Sequence, residues 1–223
     1  MGAAGLSGRL TNDDVKEAAA TLSLGSIHRA WTAAAIPNDD LGLDIGVETT
    51  FLFRRGLLDQ GNGTAIIPRI IPVPRFWLSW DLPAEFQVSA SFAPGMFFDG
   101  VMAVGSGLQW TYLREEELGV AASLVGTYTY SDAFGDLRAH TFSGAAQISR
   151  DLDAWQPYAG AGFALSSATA RSPLVLPGMS TKASPAVVHF YFGARVDLMA
   201  KLAFQVDFMN TNVSCSGLMS TSF

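Results

Sequence analysis

The residues of this chain best equipped for chemistry are few: three histidines, a scatter of acids, and hydroxyls near one of those histidines. His140 is followed by Ser143, and Asp132 and Asp136 lie just before it. An imidazole within hydrogen-bond reach of a serine hydroxyl makes a nucleophile, and aspartate with histidine can activate water. In an extended chain, however, the i, i+3 spacing sends His140 and Ser143 to opposite faces. The two acids sit beside a short turn, where solvation is the simpler role. His189 shares a face with Arg195 and Asp197, a set suited to structural hydrogen bonding. His28 falls on the polar side of a helix-like pattern and reads as solvated. Cys215 is the sole cysteine, so no internal disulfide can form, and zinc-ligand spacing is missing. The sequence has neither a phosphate-binding loop nor a nucleophile elbow. The expectation is a non-enzyme with no catalytic residue, no metal and no cofactor.

The elements that must carry these residues are unusual in composition. Charged residues make up 15% of the chain, against about 25% in a soluble domain, and the mean hydropathy is +0.25. A membrane helix needs roughly 20 consecutive apolar residues. The longest uncharged run, Ala154 to Ala170, is broken by Gly, Ser, Gln and Pro. The remaining way to span lipid is a closed β-barrel. The net charge of −6 offers nothing to nucleic acid. Met1 to Gly5 lacks the basic and apolar regions of an export leader; the expectation is that a cloned start replaces the native one.

Alternation of period two supports a barrel. Leu41, Leu43, Ile45, Val47, Thr49, Phe51 and Phe53 share one face, and Gly42, Asp44, Gly46, Glu48 and Thr50 share the other. The same pattern recurs around Phe86–Phe92, Met102–Tyr112, Leu118–Tyr130, Val188–Leu198 and Leu202–Phe208. One face is Phe, Leu, Val and Trp; the other is small and polar, which fits lipid outside and water or packed polar groups inside. Short connections (Pro83–Glu85, Arg114–Glu117, Arg150–Ala154, Met199–Lys201) alternate with longer ones (Arg54–Pro74, Ala93–Gly100, Ser131–Gly135, Ser167–Pro185, Asn210–Asn212). Short periplasmic turns and long external loops then give about ten strands, with both chain ends in the periplasm.

The stretch Trp155 to Phe163, the hairpin Ala194 to Phe208, and the terminal Phe223 with Met219 and Thr221 on its face resemble small bacterial outer-membrane β-barrel proteins. The resemblance covers about Leu41 to Phe223 and concerns architecture. It implies the Gram-negative outer membrane, surrounding outer-membrane lipid, and handling by the barrel assembly machinery, for which Phe223 would be the signal. Lipid A deacylases of this class carry His-x-Ser, from which His140-Thr141-Phe142-Ser143 departs. Omptin-type proteases gather Asp and His at the external rim, a site that Asp132, Asp136 and His140 match weakly.

The fold class expected is thus all-β: a transmembrane up-and-down antiparallel barrel over residues 41–223, preceded by a periplasmic segment, 1–40, of short helices. Thr11 to Asp14 can cap one helix. Ile27, Ala30, Trp31 and Ala34 mark the apolar stripe of another, lying as a foot against the barrel or as a plug within it. The lumen-lining candidates are Asp44, Glu48, Asp81, Gln87, Gln147, His189, Arg195, Asp197, Gln205 and Asp207. Their charges form either an internal network or an acidic pore lining that favours cations. Trp77, Trp80, Trp110 and Trp155 read as interfacial girdle. Ile66, Ile67, Ile70 and Ile71, with Leu174, Leu176 and Met179, form apolar external loops, and the interleaved prolines argue against strand pairing there. Those loops either cover the barrel top or bind a partner. The function expected is passive passage or binding of a small solute, apolar if the loops select it, through a narrow lumen. The rivals are a surface interaction protein that displays its loops and an envelope lipid-modifying enzyme.

Overall fold

A computed structural model of the chain describes residues 27–29, 31, 42–53, 70–95, 101–113, 118–133, 137–153, 155–170, 182–184, 186–209 and 212–223. Its strands are β1 (Leu43–Phe53), β2 (Ile70–Leu82), β3 (Phe86–Ala93), β4 (Val101–Leu113), β5 (Ala121–Ala133), β6 (Leu137–Ser149), β7 (Trp155–Ala170), β8 (Lys182–Ala183), β9 (Ala186–Asp197), β10 (Lys201–Met209) and β11 (Asn212–Ser222). All neighbouring pairs are antiparallel. The ladder runs from β6 through β1 to β11, β10, β9 and β7, and β7 pairs back onto β6. Ten strands therefore close on themselves, and the two-residue β8 hangs on β7 at Ala168 and Thr169. Closure matters because an open edge would leave unpaired amides in hydrocarbon.

The alternation seen in the sequence is the inside–outside alternation of this wall. Ile45, Val47, Phe51, Phe76, Phe92, Val104, Leu108, Phe142, Phe163, Phe190, Phe192 and Phe204 are exposed on the outer face. Asp44, Glu48, Thr50, Ser89, Ser91, Ser123, Thr129, Thr141, Gln147, Gln205 and Asp207 are buried on the inner one. A continuous apolar belt of this size around a soluble protein would drive aggregation, whereas in a bilayer it is solvated by lipid. The protein is a transmembrane β-barrel of the outer-membrane type.

The structure corrects several expected boundaries. Ile70 and Ile71 belong to β2 and not to an external loop: Phe53 pairs with Ile70, Leu52 with Ile71, Phe51 with Pro72 and Thr49 with Pro74. The prolines are tolerated for a positional reason. The Asp81 amide donates to the Gly42 carbonyl, so odd residues of β2 bond towards β1 and even ones towards β3. Pro72 and Pro74 face the β3 side above Phe76, where the β2–β3 ladder begins, and no bond is lost there. Likewise β7 runs on to Ala170 and β9 starts at Ala186, which shortens the expected Ser167–Pro185 loop. β5 begins at Ala121, leaving Leu118 in the preceding turn. Ile66, Ile67, Leu174, Leu176 and Met179, and the expected Thr11 cap, lie outside the described residues.

Candidate functional site

The inner wall of β4 to β7 is built mainly from Gly, Ala, Ser and Thr, which reach only a few Å inward, while ten strands spaced about 4.8 Å and tilted about 40° enclose a backbone radius of roughly 10 Å. Four described residues of the N-terminal segment, 27–29 and 31, lie within that volume. Ile27, His28, Arg29 and Trp31 are all almost fully buried, at 1–2% exposure, and each touches the inner wall. Ile27 packs with Ala164 and Met209; Trp31 packs with Trp77, Ala203 and Leu218. Met209 closes β10 at the end of the barrel that carries the long loops, and Ala203 lies near its start. From Ile27 to Trp31 the chain therefore runs from the loop end of the lumen towards the end with the short turns.

Of the expected apolar stripe, Ile27 and Trp31 are described and neither is helical, nor are His28 and Arg29 between them; Ala30 and Ala34 lie outside the described residues. The wall, together with the Arg29 side chain, supplies bonds to the backbone here. The His28 amide donates to Thr129 Oγ1 at 2.9 Å. The Ile27 carbonyl accepts from Arg29 Nη1 at 3.2 Å and Arg75 Nη1 at 2.9 Å. A helix with side chains is about 10–12 Å wide, too broad for a lumen also holding Arg75, Tyr158 and Tyr191. His28 is not solvated either. Its ring shares hydrogen bonds with Ser91 Oγ at 2.8 Å and Ser89 Oγ at 2.6 Å. It lies against Gly105 and Gly107, where an added Cβ would stand 2.7–2.8 Å from His28 atoms.

Arg29 is the centre of the site. Its Nε donates to Asp207 Oδ2 at 2.9 Å, Nη1 to Glu48 Oε1 at 3.2 Å and Thr50 Oγ1 at 2.9 Å, and Nη2 to Ser214 Oγ at 3.1 Å. Arg75 Nη1 lies 3.9 Å from Glu48 Oε1, and Trp31 Nε1 donates to Glu48 Oε2 at 3.1 Å. His189 Nε2 is 2.9 Å from Asp207 Oδ1, which also accepts from Gln205 at 2.6 Å. Buried ions survive only when paired and hydrogen-bonded, and Glu48 and Asp207 are both.

The other expected lumen residues line the lumen or its turn-end rim. Asp44 accepts from Lys201 Nζ at 2.9 Å, and Arg195 is paired with Asp197 at 2.8 Å. Asp81 accepts from Gln87 at 2.6 Å, and Gln147 from the Tyr191 hydroxyl at 3.0 Å. An acidic, cation-favouring lining is therefore not what this state presents, because Asp44, Glu48, Asp197 and Asp207 each have a cation beside them. Among the described residues, two small lumen positions are covered by tyrosine rings, Gly160 of β7 by Tyr191 and Gly193 of β9 by Tyr158. The space left beneath Trp31 is about 10 Å³, room for about one water. A concavity of about 590 Å³ bounded by Leu108, Trp110, Leu124 and Phe163 is on the lipid side.

Several lumen residues escape the sequence reading, Arg29 first among them, then Arg75 and Trp77. Arg75 is masked by the loop-like character of its neighbours, and Trp77 lies inside the lumen and not in the girdle. Trp77 is 2% exposed and packs on Trp31, whereas Trp80, Trp110 and Trp155 are exposed on the outer face. Their position relative to Ser79 carries the missing signal: residues 73, 75, 77 and 79 share one parity. The outward His140 takes its bond from Tyr128, with Nδ1 and the hydroxyl 2.8 Å apart, while Ser143 turns inward to Thr127. The two therefore cannot form a nucleophile–base pair. Asp132 pairs with Arg138 at 2.9 Å. Phe223 exchanges backbone hydrogen bonds with Leu43 as β11 meets β1.

No protein-family model matches the chain, and no curated protein is significantly similar to it in sequence. Solved structures with a similar fold include the KdgM porin, at 10% identity and a TM-score of 0.40 over 81% of this chain and 99% of that one. Others are the attachment invasion locus protein Ail of Yersinia pestis, at 10% identity, a TM-score of 0.32 and coverage of 81% and 94%, and the neisserial surface protein NspA, at 10%, 0.32, and 82% and 94%. These likenesses are confined to the strand architecture.

Proposed function

We propose that the protein is an outer-membrane channel for small polar solutes that its own N-terminal segment holds shut. The observation that carries this reading is Arg29, seated in the lumen between Glu48 and Asp207, where the described residues 27–29 and 31 have no regular secondary structure. The wall around it is rich in hydroxyls, including Ser89, Ser91, Thr129, Thr141, Ser214 and Ser216. Such a wall can be wetted at low cost when the segment leaves, which an apolar lining could not. It suits a polar solute better than the apolar one suggested by the loop isoleucines. With Arg29 withdrawn, Asp44, Glu48, Asp81, Asp197 and Asp207 would face Arg75, Arg195 and Lys201, and that excess of acid favours cations. In this reading the turn end, with Phe223, faces the periplasm.

Planar-bilayer recording tests the proposal. The wild type should be closed for most of the record, and Arg29→Ala should open a small conductance that passes K+ in preference to Cl−. A second reading rests on the paired lumen charges: an ion-paired barrel also serves as a rigid scaffold for loops that bind a partner. Silence of both proteins in the bilayer would favour that scaffold and remove the channel.

A further inference from the structure

Resting on the channel reading, we infer that the lumen contains a guanidinium-binding site, with Arg29 as its tethered occupant, and that the solutes it takes are guanidinium-bearing cations. The receptor is held in shape by the wall and not by its occupant. Thr50 Oγ1 donates to Glu48 Oε1 at 3.0 Å, and Ser214 Oγ to Asp207 Oδ2 at 3.3 Å. On the other side of Asp207, Gln205 Nε2 and His189 Nε2 bind Oδ1 at 2.6 and 2.9 Å. The carboxylates of Glu48 and Asp207 thus keep their orientation when Arg29 leaves, and a site oriented in advance binds without the cost of ordering.

Its geometry selects a planar fork. Arg29 places Nε, Nη1 and Nη2 on acceptors drawn from three strands: Asp207 of β10, Glu48 and Thr50 of β1, and Ser214 of β11. A guanidinium delivers several donors in one plane, whereas an ammonium is a compact point charge that cannot reach both carboxylates and both hydroxyls at once. The lysine site of the same barrel shows the contrast. Lys201 Nζ rests at the rim on the two oxygens of one carboxylate, Asp44. Arg75, near Glu48, bounds the site on the remaining side and limits it to one cation.

The test uses the full-length Arg29→Ala protein, with methylguanidinium and methylammonium as probes at low millimolar concentration. If the variant conducts, methylguanidinium should close it at a concentration on the order of tenfold below methylammonium, the worth of about one additional charge-assisted hydrogen bond. Equal potency of the two cations would overturn the inference and leave the channel reading intact. If the variant does not conduct, the channel reading fails, and the site is read by the midpoint of the heat-modified gel shift instead. Methylguanidinium should raise that midpoint for Arg29→Ala and leave it unchanged for Arg29→Ala combined with Asp207→Asn. The same shift in both proteins, or with both cations, would refute the site.

Discussion

A single methyl group added to the wall should dislodge the N-terminal segment. Gly105 on β4 lies against His28, and a Cβ built on it would stand 2.7 Å from His28 Cβ and 2.8 Å from Ser91 Oγ. The first of these neighbours belongs to the root of a side chain whose amide is fixed on Thr129 and whose ring is fixed on Ser89 and Ser91. It cannot swing aside. Overpacking of this kind costs about 1–3 kcal/mol. The barrel ladder, with strand partners on both sides of β4, has far more to lose than the segment, so the strain should be relieved by the segment leaving. At about 2 kcal/mol the open population rises roughly 30-fold, and cleavage that follows opening should rise with it. Trypsin cleavage after Arg29 in detergent micelles reads this out, with the heat-modified gel shift confirming an intact barrel. Gly126→Ala is the control, because nothing lies within 4 Å of a Cβ there, and it should change nothing. An intact Gly105→Ala barrel that protects Arg29 as well as the wild type does would refute the argument.

Three further outcomes are expected. Phe190→Arg and Phe204→Arg, both exposed on the outer face, should each lower refolding stability in lipid by about 2–4 kcal/mol near the midplane; Ala203→Arg, beneath Trp31, should instead raise cleavage after Arg29. Protease applied to intact cells should cut within residues 54–69 or 171–181 and spare 114–117; cleavage of the latter from outside would invert the barrel. Deletion of Phe223, which closes the β1–β11 seam through Leu43, should reduce the outer-membrane yield without altering the gel shift of the protein that does assemble.

The barrel is legible in the sequence because its signal is local: every second residue faces lipid, and Phe, Leu and Val mark that side without tertiary information. The lumen is harder to read because its occupancy is settled by contacts between residues far apart in the chain. The spacing of Ile27, Ala30, Trp31 and Ala34 is good for a helix in isolation, but at residues 27–29 the wall competes with it by supplying bonds to the Ile27 carbonyl and the His28 amide. Two signals point inward all the same. Carboxylates at Glu48 and Asp207 on lumen faces need buried cations, and Arg29 and Arg75 supply them. The small pairs Ser89–Ser91 and Gly105–Gly107 on adjacent strands describe a notch, and His28 fills it. Pro72 and Pro74 mislead for a positional reason, since a proline is harmless at the end of a strand whose N–H side has no partner.

The central claim is that the N-terminal segment lies within the barrel, and a cross-link tests it most directly. Ile27 packs against Met209 inside the lumen, and Cys215 is the only native thiol. In a Cys215→Ser background, the Ile27→Cys, Met209→Cys pair should oxidise to a disulfide in cells, and the thiol introduced at position 27 should resist a membrane-impermeant maleimide before oxidation. Absence of the disulfide, together with rapid labelling at position 27 in a correctly assembled barrel, would contradict the account.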